Sequence, residues 1–323
     1  MDLNKKQLLN YLLLPLSGIF FVISFLRKWF YKIGLFKVHN FATPVIVVGN
    51  IIVGGTGKTP IVIALVKHFQ ALGKQVGVVS RGYKGTHQQG SLLVENDTPA
   101  SVCGDEPLLI LLETQAPIMV NKNRTAALKD LINNNKIDLV ISDDGLQHYA
   151  MGRQVEIAVI NSARRFGNGF FLPAGPMREP KSRLKTVDFV INNGSKTKEI
   201  TTKTAPQTFS NLVPKAFINL VTNQQQPVDF FNHHACYGVT GIGYPQGFFD
   251  TLSALGVELI ISKTFADHHF YSQNDLTFEN DYPIIMTAKD CVKCDSFATK
   301  QMWYLHSQAS LDEEFLTQLS AKL

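Results

Sequence analysis

Cysteine is scarce in this chain: Cys103, Cys236, Cys291 and Cys294 are the only four in 323 residues. Such sparse usage argues against a disulfide framework and fits a reducing compartment. Cys291 and Cys294 form a single C-x-x-C with no second pair and no histidine at metal spacing, so the pair reads as structural rather than as a zinc site. Dense runs of one charge are also missing. A formal charge of +5 is mildly basic; it suits an acidic substrate or anionic lipid but lacks the basic stripe of nucleic-acid binders, so no nucleic-acid partner is expected. Repeats and low-complexity tracts are absent, and with 45% hydrophobic and 18% charged residues the balance is that of a globular chain. The length allows two compact domains or one large one. No feature points to an obligate protein partner.

One long hydrophobic run is present. Residues 8–26 carry no charge, Lys5 and Lys6 precede them, and Arg27, Lys28, Lys32 and Lys37 follow. A cleaved signal peptide needs a small-residue cleavage site, and Phe25-Leu26-Arg27-Lys28 offers none. A spanning helix needs about 20 apolar residues, a length the run barely reaches, with Pro15, Ser17 and Gly18 inside it. A helix lying in the interface fits the cationic flank and Trp29, Phe30 and Tyr31 at headgroup level. A buried globular helix would leave that flank unexplained. Membrane association is the expectation, spanning or lying is left open, and a nucleotide site must face the cytoplasm, where ATP is.

The remainder alternates short apolar strands with helices. Strands are expected at 45–48, 76–79, 117–120, 138–141, 155–160 and 188–191, with a helix over 60–72. This pattern predicts an α/β fold, a parallel sheet with helices on both faces, and the glycine-rich turn with Lys58-Thr59 after the first strand makes it P-loop NTPase-like. The polar stretch 196–207 reads as a connection. Beyond it, strands at 235–239, 258–261 and 283–287 predict a smaller second α/β unit. The expected division is 1–35 for the membrane-associated helix and its flank, 36–205 for the P-loop domain and 206–323 for the smaller domain.

Gly49-Asn50-Ile51-Ile52-Val53-Gly54-Gly55-Thr56-Gly57-Lys58-Thr59-Pro60 lies between strand and helix, where a phosphate-binding loop must lie. The residues Gly54, Gly55, Thr56 and Gly57 turn backbone N–H groups toward phosphate oxygens at the positive end of the helix. Lys58 reaches the β- and γ-phosphates of ATP and the Thr59 hydroxyl ligates Mg²⁺. The usual pattern has glycine where Ile52 stands. The strand ending Ser142-Asp143-Asp144 delivers two carboxylates to the edge where parallel sheets bind ligands. Asp143 is the first choice for Mg²⁺ and Asp144 the second; the alternative is that one of them caps the turn at Gly145.

Several segments together resemble the tetraacyldisaccharide 4'-kinases of lipid A biosynthesis. They are the loop 49–60, Ser80-Arg81-Gly82-Tyr83, Gly104-Asp105-Glu106-Pro107, Asp143-Asp144-Gly145-Leu146-Gln147-His148 and Gly175-Pro176-Met177-Arg178-Glu179-Pro180. Gly241-Ile242-Gly243 with Pro245, Asp267-His268 and Thr287-Ala288-Lys289-Asp290 follow in family order, and the hydrophobic N-terminal helix also matches. The Gly-Asp-Glu-Pro and Asp-Asp-Gly-x-Gln-His segments make the match specific; Met177 replaces the usual leucine. The resemblance implies transfer of the ATP γ-phosphate to the 4'-hydroxyl of an acylated glucosamine disaccharide 1-phosphate, at the cytoplasmic face of the bacterial inner membrane. Membrane lipid is then a partner, and basic residues near the bilayer attract the acceptor's anionic 1-phosphate.

The resemblance also implies that Asp105 is the base for the sugar hydroxyl and that His268 orients it. Separately, Asp105 reads as a helix N-cap and His268 as a turn residue beside His269. Arg81, Arg124 and Arg178 are candidates for phosphate or developing charge, with surface ion pairing the alternative. Glu106 and His148 either position metal or substrate or complete the local loop network. The runner-up function is a membrane-associated switch ATPase of the partitioning type, against which Val53 stands where the signature lysine belongs. A GTPase would want Asn-Lys-x-Asp, and Thr287-Ala288-Lys289-Asp290 has the wrong spacing.

Overall fold

The computed structural model describes residues 5–194 and 205–323, so most of the 196–207 connection lies outside the described residues. Its strands in chain order are β1 Val45–Gly49, β2 Val76–Ser80, β3 Leu92–Leu93, β4 Ile118–Val120, β5 Leu139–Asp143, β6 Val155–Asn161, β7 Phe189–Asn193 and β8 Gln207–Ser210. These eight form one sheet in the order β3-β4-β2-β5-β1-β6-β7-β8. Among the described residues of this sheet, only the β3–β4 pairing is antiparallel. Strands β9 Leu212–Asn219, β10 Gln225–Gln226, β11 Ala235–Thr240, β12 Glu258–Thr264, β13 Ile284–Thr287 and β14 Met302–Ala309 form a second sheet, ordered β10-β9-β14-β13-β11-β12. There β11 pairs in parallel with β12 and β13, and β13 with β14, while β9 runs antiparallel to β14 and β10.

The first sheet is covered on both sides, which is why its strands read as unbroken apolar runs. Alternate residues of β1 face opposite ways. Ile46 and Val48 meet α3 (Lys58–Ala71) and α5 (Asp105–Thr114), whereas Val45 and Val47 meet α6 (Arg124–Asn134). Each fully buried side chain of this kind contributes about 1.5–3 kcal/mol. The second sheet repeats the scheme on a smaller scale, with Phe248, Phe249 and Leu252 of α7 (Pro245–Ala254) on one face. Two elements cross the expected boundary at 205/206. Strand β8 pairs with β7 in the first sheet, and α9 (Glu313–Ser320) returns to it, Phe315 packing edge-on against Phe189.

The N-terminal run forms two helices, α1 (Leu8–Leu12) and α2 (Leu14–Lys32). The break falls where Pro15 occupies the first turn of α2, a position that needs no backbone donor. Its polarity is inverted relative to a core helix. Asn10 and Ser17 are the buried residues, and both bond the 171–174 loop: Asn10 Nδ2 donates to Ala174 O (2.8 Å) and Ser17 Oγ to Phe171 O (2.8 Å). Leu12, Leu16, Ile19 and Ile23 are instead exposed.

Candidate active site

Parallel strands deliver functional groups at their carboxyl ends, and here two such edges face each other. The phosphate loop follows β1, Ser80-Arg81 follows β2, and Asp143-Asp144 ends β5, in register with Val48. From the second sheet come Gly241-Ile242-Gly243 after β11, Asp267-His268 after β12 and α8 (Ala288–Cys291) after β13. Between them lies a cleft of about 1630 Å³. It runs from Phe20, Arg27 and Tyr31 on α2, past Gln147 and Arg178, to Lys58, His268 and Lys289.

The loop is braced by polar groups that bond Thr56 through its hydroxyl and carbonyl oxygens. Asn50, wholly buried, donates to Thr56 Oγ1 (3.1 Å), and Asn193 Nδ2 donates to Thr56 O (3.0 Å). Gly57 has φ +79°, and a Cβ there would lie 1.9 Å from Asn193 Nδ2, so only glycine fits. Ile52, the departure from the usual pattern, is 1% exposed and bridged to Met177, while Val53 N donates to Pro176 O (2.8 Å). The loop's first residue is thus a packed strand-like position, which favours a β-branched side chain.

The two carboxylates of β5 have different surroundings. Asp144 pairs with Arg178 Nη1 (2.9 Å) and lies 3.5 Å from Lys58 Nζ. Burial opposes its charge, but Lys58, Arg178 and Arg124 outweigh it and hold the carboxyl well below the usual range. Asp143 is 1% exposed, its Oδ1 has no hydrogen-bond partner among the described residues, and burial and Glu106 push it up to about 7. Neither caps the turn at Gly145, whose N–H donates to Val48 O (3.2 Å).

Asp105 and His268 are in contact. His268 Nδ1 lies 2.8 Å from Asp105 Oδ2 and 2.9 Å from Oδ1, with Tyr83 packed edge-on against the imidazole. Asp105 is the first residue of α5 rather than its N-cap, a position held by Gly104, and its Oδ1 also accepts from the adjacent Glu106 N at the helix start (2.9 Å). His268 is a non-glycine residue at φ +62°, backbone strain of the kind that clusters at functional sites. Burial opposes ionisation of Asp105, yet His268, Lys289 and Lys293 together lower its pKa.

Known proteins match this chain along nearly its whole length. The family model for tetraacyldisaccharide-1-P 4'-kinase matches residues 9–323. The chain belongs to that family. A tetraacyldisaccharide 4'-kinase of Ruthia magnifica subsp. Calyptogena magnifica is 56% identical over 323 residues, covering 100% of both chains. One from Pasteurella multocida (strain Pm70) is 44% identical over 320 residues, 98% of this chain and 96% of the relative. The crystal structure of LpxK from Aquifex aeolicus in complex with ATP superposes with a TM-score of 0.84 at 27% identity, covering 98% of this chain and 99% of that one.

The remaining sequence candidates of this family member sit around the same cleft. Arg178 bonds Asp144 and Gln147, and Arg124, 8% exposed, donates to Asp144 O (2.9 Å). Arg81 is exposed at the rim. Glu106 faces Lys289 Nζ at 3.2 Å. Lys289, Asp267, Gln147, Tyr149 and Glu179 have no role legible in the sequence, because each of their contacts joins distant parts of the chain. Glu179, buried, accepts from Gln147 Nε2 (2.8 Å) and from the Tyr149 hydroxyl. Cys291 and Cys294 donate weakly to Ala288 O and Asp290 O within α8 and its end.

His148 lies 3.2 Å through Nε2 from Thr125 Oγ1, and burial together with Arg124, Arg153 and Arg27 pushes its imidazole down to about 4 from 6.5. A histidine depressed in the folded state stays neutral while the unfolded chain takes up a proton. Its contribution is therefore fully present above pH 6.5 and is lost as pH falls toward 4. His148→Asn should flatten the decline of the denaturation midpoint between about pH 6.5 and 4.5, read by urea titrations at several pH values. An unchanged slope would assign the acid sensitivity to other groups.

Proposed function

We propose that the chain is an ATP-dependent kinase that phosphorylates the 4'-hydroxyl of a tetraacyldisaccharide 1-phosphate, giving the 1,4'-bisphosphate. The observation that carries this reading is the cleft joining the phosphate loop, the base of α2 and His268, behind which Asp105 lies 2.8 Å from the imidazole. The N–H groups of Gly54, Gly55, Thr56 and Gly57, with Lys58, would hold the triphosphate. Thr59 and Asp143 would hold Mg²⁺, because the buried Asp143 Oδ1 has no partner among the described residues, whereas Asp144 is already paired with Arg178 and Lys58. Among the described residues there is no cluster of three or more His, Cys, Asp or Glu ligands, as suits an ion that keeps its waters and binds substrate phosphates. When bound, the ion neutralises charge on the β- and γ-phosphates.

Asp105 accepts the hydroxyl proton as the sugar oxygen bonds the γ-phosphorus. The bond from that phosphorus to the bridging oxygen breaks, and its electron pair leaves with ADP. Arg178, Arg81 and Arg124 supply positive charge around the transferring group, and Glu106 and His148 shape the site without taking the proton. The exposed apolar face of α2, flanked by Arg27, Lys28 and Lys32, would rest in the cytoplasmic face of the inner membrane, which keeps the acyl chains in the bilayer while the sugar enters the cleft. With it, residues 1–35 act as the membrane segment, 36–205 with β8 and α9 as the kinase domain, and the rest of 206–323 as the smaller domain. The partitioning-type switch ATPase is not favoured, since its signature lysine is Val53 here.

The experiment is phosphoryl transfer in detergent micelles with ATP, Mg²⁺ and tetraacyldisaccharide 1-phosphate, read by mass spectrometry. One phosphate gained on the non-reducing sugar is expected. Well-folded protein that transfers nothing, yet hydrolyses ATP when bare vesicles are added, would sink the kinase reading.

A further inference from the structure

Lys289 is the second residue of the short helix α8, and its ammonium sits beside the Asp105–His268 pair. Nζ lies 3.2 Å from Glu106 Oε1, 3.3 Å from Asp267 Oδ1 and 3.3 Å from His268 Nε2. An ammonium has three protons and no acceptor. Three partners within 3.3 Å therefore use all of its donors, and none remains for a substrate phosphate. At His268 Nε2 the lysine must donate, so that nitrogen must be the bare one. A neutral imidazole then carries its proton on Nδ1, which faces both oxygens of Asp105. The alternative, an imidazolium with Nε2–H, finds its nearest carboxylate oxygen there, Asp267 Oδ1, at 3.7 Å, outside hydrogen-bond range, and sets two cations 3.3 Å apart.

We propose that Lys289 is a positioning residue that fixes His268 as its Nδ1–H tautomer, so that the imidazole donates to Asp105 and does not relay its proton. This deepens the kinase reading and rests on it for its kinetic consequence. With Nδ1 already protonated, His268 offers no lone pair toward Asp105. The proton taken from the sugar hydroxyl stays on the carboxyl until product leaves, and the imidazole's role is to aim the carboxylate.

The support for this arrangement is buried and shared. Asp290, wholly buried, accepts from Thr240 Oγ1 (2.8 Å), Thr287 Oγ1 (2.7 Å), Tyr271 Oη (3.0 Å) and Gly241 N (3.2 Å). Gly241 O in turn accepts from His268 N (3.1 Å). One carboxylate thus sets both the helix that carries Lys289 and the turn that carries His268. Tautomer control through the far nitrogen of a histidine is a general device in acid–base sites.

The test is long-range ¹H–¹⁵N correlation of ¹⁵N-histidine-labelled full-length protein in micelles, with His268→Gln to assign the resonances. The resting wild-type enzyme should show a protonated Nδ1 and a bare Nε2 at His268. Lys289→Met should shift the population toward Nε2–H or imidazolium and lower kcat about 10- to 100-fold, with KM for ATP and for lipid changed by less than about twofold. Lys289→Arg keeps donors at the site and should restore part of the rate. A protonated Nε2 in the wild type overturns the proposal, as does a Lys289→Met enzyme whose lipid KM rises at unchanged kcat, which would make the lysine a substrate contact. If Lys289→Met does not fold, the wild-type spectrum and the arginine variant still decide. Failure of the kinase reading itself would appear separately, as wild-type protein that does not phosphorylate the disaccharide.

Discussion

Asp105→Ala should lower kcat by about 10²- to 10⁴-fold, the range of a lost general base, while KM for ATP stays near the wild-type value. The carboxylate is 5% exposed and engages His268 Nδ1 at 2.8 Å. Its contacts among the described residues run to Glu106 N, His268, Lys289 and Lys293 and not to Asp144, Arg178 or Lys58, which serve the phosphates, so nucleotide binding does not depend on it. A base acts mainly in the transition state, and its loss therefore appears in kcat. Removing it also strands part of the charge on Lys289 and Lys293, at 3.9 and 4.0 Å from its Oδ2, so Asp105→Asn is the companion variant that keeps shape and a hydrogen-bond acceptor. Steady-state kinetics in mixed micelles, with thermal unfolding of each variant, makes the measurement. An alanine variant defective only in ATP binding would move Asp105 to a metal or structural role.

Lys58→Ala should reduce kcat/KM by about 10²- to 10³-fold or more, the scale of a lost preorganised charge at a transferring group. The fold should survive. Asp144, the acidic partner of Lys58 among the described residues, keeps Arg178 at 2.9 Å. Transfer assayed with a mutant whose unfolding midpoint is near wild type separates chemistry from stability. A near-normal rate would remove the phosphate-loop assignment.

The chain's local chemistry declared the parts that need only neighbours in sequence. The strands β1, β2, β5 and β6 were legible because burial on both faces demands continuous apolar runs, and the phosphate loop because glycines at a strand–helix turn followed by Lys-Thr have one common use. Strands β9 and β14 were not. Strand β9 carries Pro214 and Lys215 in a run that pairs antiparallel with β14, Trp303 with Asn219 at the near end and Ala309 with Leu212 at the far end; neither period nor turn signals announce so distant a partner. The inverted polarity of α1 and α2 was also hidden. An apolar count sees Leu and Ile, whereas the docking is made by Asn10 and Ser17.

By itself the sequence determined the fold class, the phosphate loop, the two carboxylates after β5 and, through motif resemblance, the family. Those features are set by residue type at short spacing, where backbone geometry leaves few outcomes. Only the tertiary structure decided that Asp105 meets His268, that Asp144 is spent on Arg178 and Lys58 while Asp143 keeps a bare oxygen, and that Lys289 closes on the imidazole. Asp105 meets His268, and Glu106 meets Lys289, because the carboxyl edges of the two sheets face each other, whereas Asp144, Arg178 and Lys58 come together from separate loops and a helix start of the first sheet.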